Sequence, residues 1–166
     1  MIWKLRAIRR RFLRRIGWIP PAIWWVDSGE PGILATSNPT NREIRKYRED
    51  GFTTIICLLN TEVQKPLYNP RNMEAEGYHW VNVPIEDYNA PSINQMTGLI
   101  KIFRVNTENM IIHCEGGVGR TGTAAVLYWL AKGMVPIQAL NRVREQQPYA
   151  VETDEQWKAI LEARKM

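Results

Sequence analysis

The chain has few of the features that mark disulfide-rich or membrane-spanning proteins. Its 166 residues include only two cysteines, Cys57 and Cys114, which cannot form a disulfide framework, so we expect a reducing, cytoplasmic location. No apolar run reaches the ~18–20 residues needed to span a bilayer, and the longest candidate, residues 16–26, contains two prolines. Because 45% of the residues are hydrophobic, the chain can bury one sizeable core. The sequence therefore predicts one globular domain.

Acidic residues are also missing from the first 26 positions, where basic residues are concentrated. Seven basic residues lie within residues 1–16, namely Lys4, Arg6, Arg9, Arg10, Arg11, Arg14 and Arg15. The whole chain has a net charge of +5, whereas the chain without this segment has 15 basic and 17 acidic residues. A nucleic-acid-binding domain is expected to keep a basic face on its body. We therefore do not expect nucleic acid as a partner.

The same N-terminal segment has a helical hydrophobic pattern. Its apolar residues fall on one arc of a helical wheel, opposite most of the basic ones, and are Ile2, Leu5, Ile8, Phe12, Leu13 and Ile16. The pattern predicts a basic amphipathic helix in a segment of residues 1–20, followed by a domain of residues 21–166. Three interpretations stay open. The helix docks its apolar stripe on the body and leaves its arginines in solvent, or it lies on an anionic membrane surface as a peripheral anchor, or it is a targeting presequence.

The rest of the chain alternates between strand-like and helix-like patterns. Strands are predicted at residues 33–35, 52–59, 78–85 and 110–114, and a polar loop at 60–72. Helices are predicted at residues 41–50, 92–105, 119–132, 136–147 and 154–166, with Thr40 or Asn41, Ser92 or Asn94, and Thr153 as caps. This alternation predicts an α/β fold, with a central mixed, partly parallel sheet flanked by helices.

The strongest chemical signal is the segment that joins the strand at 110–114 to the following helix. Cys114 ends the strand, Arg120 begins the helix, and three of the five residues between them are glycines. Glycines allow successive backbone N–H groups to point inward, and a helix N-terminus adds positive potential, so residues 115–119 form a phosphate cradle. Its residues are Glu115, Gly116, Gly117, Val118 and Gly119. Arg120 can grip phosphate oxygens with two nitrogens, and Cys114 supplies a thiolate nucleophile aimed at phosphorus.

The segment His113-Cys114-x5-Arg120-Thr121 resembles the signature of the cysteine-dependent protein tyrosine phosphatases, and most closely their small dual-specificity branch. The resemblance covers residues 24–160. It implies a two-step hydrolysis through a phosphocysteine intermediate, with no metal and no cofactor. It further implies that Thr121 stabilises the departing sulfur, and that His113 orients the loop and tunes the thiolate. The implied substrates are proteins carrying phosphotyrosine, together with phosphoserine or phosphothreonine.

The family also uses a general acid on a loop upstream of the cysteine, and residues 84–92 resemble that loop. Asp87 matches the acid, and Glu86 is its competitor. Adjacent side chains in extended backbone point in opposite directions, so we expect one of the two to face the site, with Asp87 preferred. Protonation of the leaving oxygen by such a group contributes ~10²–10⁴-fold to the rate.

Two further residues carry weaker signals. Gln156 lies in a segment, residues 148–156, that resembles one returning to the active site in related phosphatases, where a glutamine could position the hydrolytic water. We favour a surface position for it on the last helix. Cys57 lies inside an apolar strand, so we predict a buried core residue rather than a regulatory disulfide partner of Cys114.

Two alternative functions remain open from the sequence. The basic N-terminal segment suggests a membrane-recruited phosphatase of phospholipids or of small-molecule phosphates. The phosphate cradle contains no lysine to bind additional phosphates, which argues against a polyphosphoinositide substrate. A silent phosphate-binding module is the second alternative, and the presence of Cys114, Arg120 and an upstream acid argues against it.

Overall fold

The computed structural model describes residues 12–14 and 16–164, and they form a five-stranded sheet in the order β1-β2-β5-β3-β4. The strands are β1 (Ile23–Asp27), β2 (Ile33–Thr36), β3 (Thr54–Leu59), β4 (His79–Ile85) and β5 (Met110–His113). The four strands β2 to β5 run parallel, whereas β1 pairs with β2 in the antiparallel direction. The predicted mixed, partly parallel sheet is therefore confirmed.

Within the described part of the chain, five helices flank this sheet, and both faces of the sheet are buried. They are α1 (Asn41–Glu49), α2 (Ile93–Val105), α3 (Gly119–Ala131), α4 (Pro136–Gln146) and α5 (Asp154–Ala163). Alternate strand residues point to opposite faces. Ile56 and Ile112 belong to the larger core with α2 to α5, whereas Ile55 and Ile111 belong to a smaller core with α1. Buried strands of this kind read as continuous apolar runs, which is why the sequence predicted them.

The helix starts follow the predicted capping residues. Thr40 and Glu43 form a reciprocal capping box on α1, Ser92 does the same with Gln95 on α2, and the Thr153 hydroxyl caps α5. The helices α3 and α4 lack such a cap, because their N-cap residues Val118 and Val135 make no side-chain capping hydrogen bond. The backbone N–H groups at the start of α3 are therefore available to other partners.

Three parts of the predicted organisation differ from the structure. β1 was not predicted, although its alternating burial, with Trp24 and Val26 inside, is that of an edge strand. The preceding Pro20-Pro21 pair is typical of a loop, so the sequence pattern does not predict a strand that begins two residues later. The predicted loop at 60–72 ends in a short 3₁₀ helix, Pro70–Asn72, capped by the Asn69 side chain. The predicted strands at 52–59 and 78–85 begin later than expected, at Thr54 and His79.

Of the predicted N-terminal helix, residues 12–14 are helical, and residues 1–11 and 15 lie outside the described residues. Arg14 is buried, with only 6% of its surface exposed, whereas Phe12 and Ile16 are exposed. Arg14 contacts both carboxylate oxygens of Glu43 at 3.0 and 2.8 Å. The expectation of an apolar docking stripe with solvated arginines is therefore wrong for this part of the segment, because the arginine makes the buried contact.

Several hydrogen bonds compensate the burial of the Arg14 guanidinium. It also donates to the carbonyl oxygens of Ile19 at 3.0 Å and Asn38 at 3.1 Å. Burial opposes ionisation of Glu43, but the hydrogen bonds from Arg14 and Thr40 outweigh it and lower the pKa of Glu43. A buried ion pair is stable only when such additional bonds satisfy both partners.

Within residues 12–14 and 16–164, no helix has both the length and the apolar character needed to cross a bilayer.

Candidate active site

The candidate site lies where the parallel strands end. Cys114 follows β5 directly, Asp87 follows β4, Gln64 lies in the loop after β3, and Asn38 follows β2. Ligand sites of open parallel sheets lie outside the carboxyl ends of their strands. These four residues therefore come together from distant parts of the sequence because of the sheet topology.

Cys114 begins the cysteine loop, which we define as residues 114–119. Its side chain is buried, and the backbone N–H of Gly117 donates to its sulfur at 3.2 Å. This N–H donor and the N-terminus of α3 direct positive potential towards the Cys114 sulfur. Gly117 has a φ of 74°, and a Cβ added there would lie 2.7 Å from the backbone nitrogen of Ser37. Only glycine fits this close approach of the cysteine loop to β2.

Side chains from other parts of the fold hold the cysteine loop in place. The indole Nε1 of Trp24 donates to the Gly117 carbonyl oxygen at 2.9 Å. The buried Asn38 donates from Nδ2 to the Glu115 carboxylate at 2.9 Å and from its backbone N–H to the Glu115 carbonyl at 3.1 Å. Its Oδ1 accepts from the backbone of Leu67 at 3.0 Å. Asn38 therefore joins the cysteine loop to the loop after β3 and to Arg14.

His113 lies beneath the cysteine loop and is fully buried. Its Nε2 lies 2.8 Å from the hydroxyl of Tyr68, and its Nδ1 lies 3.4 Å from the Cys114 carbonyl oxygen. The Tyr68 hydroxyl in turn accepts from Trp80 Nε1 at 2.9 Å. Burial lowers the pKa of His113 to about 3, so the imidazole is neutral at neutral pH. His113 thus acts on the loop through hydrogen bonds and not through a positive charge.

Arg120 lies in the first turn of α3, and its side chain is almost completely buried. Its Nη1 donates to the carbonyl of Ile85 at 2.9 Å and to Gln64 Oε1 at 2.8 Å. Its Nη2 donates to Asp87 Oδ1 at 2.8 Å. The other oxygen of Asp87 accepts from Gln64 Nε2 at 3.1 Å. The predicted phosphate-binding arginine and the predicted acid are therefore in direct contact.

The structure brings Asp87, and not Glu86, to the cleft. Asp87 lines a cleft of about 330 Å³ together with Cys114, Arg120 and the cysteine loop. Glu86 is exposed, and its carboxylate accepts a hydrogen bond from Asn89 Nδ2 at 3.1 Å. The two neighbouring acids point in different directions, as expected, although Asp87 lies in a turn after β4 and not in extended backbone.

Thr121 and Cys57 are both fully buried. Among the described residues, the Thr121 hydroxyl has no hydrogen-bond partner, which is unusual for a buried polar group. The Thr121 hydroxyl is therefore free to donate a hydrogen bond to a further acceptor. Burial raises the pKa of Cys57 to about 11, so it remains a thiol in the core, as predicted.

The prediction of a surface position for Gln156 is wrong. Gln156 is fully buried, and its Oε1 accepts from the backbone of Glu152 at 2.8 Å while its Nε2 donates to the Asn89 carbonyl at 3.3 Å. The Thr153 hydroxyl donates to the Tyr88 carbonyl at 3.2 Å. The start of α5 therefore holds residues 86–92, the acid loop, in place. The resemblance of residues 148–156 to a segment that returns to the active site pointed to this contact, whereas the residue type favoured exposure, because glutamine is ordinarily found at the surface.

Glu152 also lines the cleft, and it belongs to the segment of residues 148–156 that the sequence analysis compared with one returning to the active site. A Cβ added to Gly119 would lie 2.1 Å from Glu152 Oε2, so the glycine makes room for this carboxylate at the start of α3. Burial raises the pKa of Glu152, and the carboxylate of Asp87 acts in the same direction.

Within the described part of the chain, no group of three or more His, Cys, Asp or Glu side chains is arranged to hold a metal ion.

The comparisons with known proteins decide the family. The family model described as PTP-SAK, a Swiss Army Knife protein DSP-PTPase phosphatase domain, matches residues 20–165. The chain belongs to the dual-specificity protein tyrosine phosphatases. The structure titled Tk-PTP in the active form is 28% identical and superposes with a TM-score of 0.75, over 89% of this chain and 99% of that one. The predicted family is therefore confirmed.

Curated relatives agree with this assignment at the level of the domain. Mouse protein tyrosine phosphatase type IVA 2 is 30% identical over 123 residues, which is 68% of this chain and 70% of that protein. Mouse protein tyrosine phosphatase domain-containing protein 1 is 26% identical over 155 residues, 78% of this chain. The matched region spans only 20% of that larger protein.

Proposed function

We propose that this phosphatase hydrolyses phosphomonoesters on proteins, phosphotyrosine above all, through a phosphocysteine intermediate and without a metal. The observation that carries the proposal is the shared cleft, in which Cys114 lies at the start of the cysteine loop and Arg120 contacts Asp87 at 2.8 Å. Nucleophile, phosphate ligand and acid are thus within reach of one phosphoryl group.

In the first step, the Cys114 thiolate attacks phosphorus, the S–P bond forms and the ester P–O bond breaks. The amides of the cysteine loop and the Arg120 guanidinium stabilise the charge on the phosphoryl oxygens. Asp87 gives its proton to the departing oxygen. In the second step, water attacks phosphorus and gives a proton to Asp87, while the S–P bond breaks. The unpartnered Thr121 hydroxyl donates to the departing thiolate.

The cleft fits a phosphorylated side chain better than a polyphosphorylated headgroup. Two arginines line the cleft. Arg120 belongs to the phosphate cradle, and the charge of Arg14 is neutralised by the Glu43 carboxylate at 2.8 Å. Glu115 and Glu152 add negative charge to the same walls, and this charge repels additional phosphates. Tyr88 lines the cleft and is 60% exposed, so its ring can contact an aromatic leaving group.

The proposal is tested by comparing Cys114→Ser with Cys57→Ala, which removes the other thiol. Each is assayed with phosphotyrosine, phosphoserine and phosphothreonine peptides, and with vesicles of phosphorylated lipids, in the presence of a chelator. We expect turnover to be lost in Cys114→Ser alone and to be highest with phosphotyrosine. Substantial activity of Cys114→Ser would contradict the covalent mechanism, and a preference for lipid vesicles would favour the phospholipid alternative.

We also propose that the protein lies in the cytoplasm and associates peripherally with anionic membranes through its N-terminal segment. Phe12, Ile16 and Trp18 are 59%, 47% and 79% exposed although Arg14 beside them is docked. Helix α1 adds three exposed basic residues, which line a groove together with Ile16 and are Arg42, Arg45 and Lys46. Exposed apolar and basic side chains together are typical of surfaces that bind anionic lipid.

A further inference from the structure

Gln64 bridges the two side chains that act on phosphate and on the leaving group. Its Oε1 accepts from Arg120 Nη1 at 2.8 Å, and its Nε2 donates to Asp87 Oδ2 at 3.1 Å. We propose that Gln64 is a positioning residue, which aligns Arg120 for phosphate and directs the acid proton of Asp87 to Oδ1. This inference rests on the proposed function, because it assigns a role within the same reaction.

The chemistry of the neighbours fixes the orientation of the Gln64 amide. A guanidinium only donates hydrogen bonds, and an ionised carboxylate only accepts them. The amide oxygen must therefore face Arg120, and the amide nitrogen must face Asp87. A glutamine side chain can accept from Arg120 and donate to Asp87 at the same time. Side chains of similar length cannot, since glutamate lacks the donor and lysine lacks the acceptor.

The contacts of Arg120 with Gln64, Ile85 and Asp87 occupy one edge of its guanidinium, and the other edge is available for phosphate. Both hydrogens of Nη1 are used, one by Gln64 and the other by the Ile85 carbonyl at 2.9 Å. Asp87 takes one hydrogen of Nη2. Within the described residues, Nε and the second hydrogen of Nη2 have no partner. Two parallel N–H groups of this kind form the fork that binds two phosphoryl oxygens.

The bond from Gln64 to Asp87 decides where the acid carries its proton. When a phosphate dianion binds the free edge of Arg120, its negative charge lies close to Asp87, and a negative charge nearby favours the protonated carboxyl over the carboxylate. Oδ2 accepts the hydrogen bond from Gln64, so the proton goes to Oδ1, the oxygen that faces Arg120. From Oδ1 the proton passes to the leaving oxygen as the P–O bond breaks and the S–P bond forms.

The experiment compares Gln64→Met, which keeps the length and loses both bonds, with Val63→Ala as the matched control. Val63 is the preceding residue and is 78% exposed. Each variant is assayed with an alkyl phosphate, whose leaving group needs a proton, and with a dinitrophenyl phosphate, whose leaving group does not. For Gln64→Met we expect kcat to fall about tenfold with the alkyl ester and less than about threefold with the dinitrophenyl ester. Val63→Ala should match the wild type with both.

Gln64→Glu provides a second readout that a purely structural role would not change. It keeps an acceptor for Arg120 but places a carboxylate beside Asp87. The added negative charge favours the protonated acid, so the alkaline limb of the kcat–pH profile should move to higher pH.

Equal losses with both esters, or an unshifted alkaline limb in Gln64→Glu, would overturn the inference. Wild-type kinetics of Gln64→Met would overturn it as well. In each of these cases an inactive Cys114→Ser would leave the proposed function standing, whereas an active Cys114→Ser would remove both.

Discussion

The indole of Trp24 donates its N–H to the carbonyl oxygen of Gly117 at 2.9 Å. This bond joins the edge strand β1 to the middle of the cysteine loop. His113 holds the start of the same loop from below through its contact with the Cys114 carbonyl. The loop is therefore fixed from two directions, and the N–H groups that we propose as phosphate ligands are oriented before the substrate arrives.

We expect Trp24→Phe to lower kcat more than its effect on stability alone would suggest. The substitution keeps most of the buried ring but leaves the Gly117 carbonyl without its donor. The loss of a buried hydrogen bond destabilises a protein by about 1 kcal/mol, so the variant should fold, and its turnover should fall severalfold. Steady-state kinetics and thermal melting of the same sample measure the two effects.

Trp25→Phe is the matched control, because Trp25 is 43% exposed and lies on the opposite face of the same strand. It should leave turnover close to the wild-type value. Equal turnover in both variants would show that the Trp24 bond does not position the cysteine loop.

The predictable part of the site is the part encoded by neighbouring residues. Cys114, Arg120 and the glycines between them form one short segment, so their spacing can be recognised in the sequence. Gln64 and Asn38 belong to loops after other strands, and they reach the site only because the parallel sheet brings those strand ends together. Their residue types are also common in surface loops, so no local signal marks them.

The errors on Arg14 and Gln156 have a common physical cause. Helical periodicity assigns polar residues to the solvent face, because burial of a polar group is unfavourable unless it is hydrogen-bonded. Arg14 is compensated by the Glu43 carboxylate and two carbonyls, and Gln156 by the backbones of Glu152 and Asn89. These partners are distant in sequence or lie in irregular backbone. The compensation therefore becomes visible only in the folded structure.

Asp87→Asn should lower kcat about 10²-fold with alkyl phosphates, which need a proton on the leaving oxygen. With a dinitrophenyl ester the loss should be much smaller. Glu86→Gln is the matched control, since Glu86 is exposed and pairs with Asn89 outside the cleft. Steady-state rates with both esters separate the two residues. A leaving-group dependence in Glu86→Gln, and none in Asp87→Asn, would transfer the role of acid to Glu86.

His113 should make the stability of the protein depend on pH. Burial lowers its pKa from 6.5 in a free side chain to about 3 in the folded protein. Between these values the unfolded chain binds a proton that the folded chain does not, so the free energy of unfolding decreases as the pH falls through this window. His113→Asn should have a lower melting temperature at neutral pH but a shallower decrease on acidification.

His79→Asn is the control for this measurement, because His79 is exposed at the start of β4. Its melting temperature should decrease on acidification with the wild-type slope. Because carboxylate protonation is shared by all three proteins, a difference in slope isolates the histidine. Identical slopes for His113→Asn and His79→Asn would contradict the assignment of a neutral, buried His113.

The N-terminal segment should separate into two parts with different roles, and two variants test this division. Deletion of residues 1–11 removes five basic residues but keeps Arg14 and its contact with Glu43. We expect it to preserve the melting temperature and the turnover of a soluble aryl phosphate. Its sedimentation with anionic vesicles should decrease strongly, since each basic residue near such a surface contributes about 1 kcal/mol.

Arg14→Met should show the opposite pattern. It leaves the Glu43 carboxylate without its partner, and removal of one member of a buried pair destabilises by about 3–5 kcal/mol. Because Arg14 also binds the carbonyl of Asn38, which holds Glu115, turnover should fall together with the melting temperature. Vesicle binding should persist at low salt and weaken at high salt, as expected for screened charges. A large loss of stability on deletion of residues 1–11, with no vesicle binding by the full chain, would rule out the membrane-association proposal.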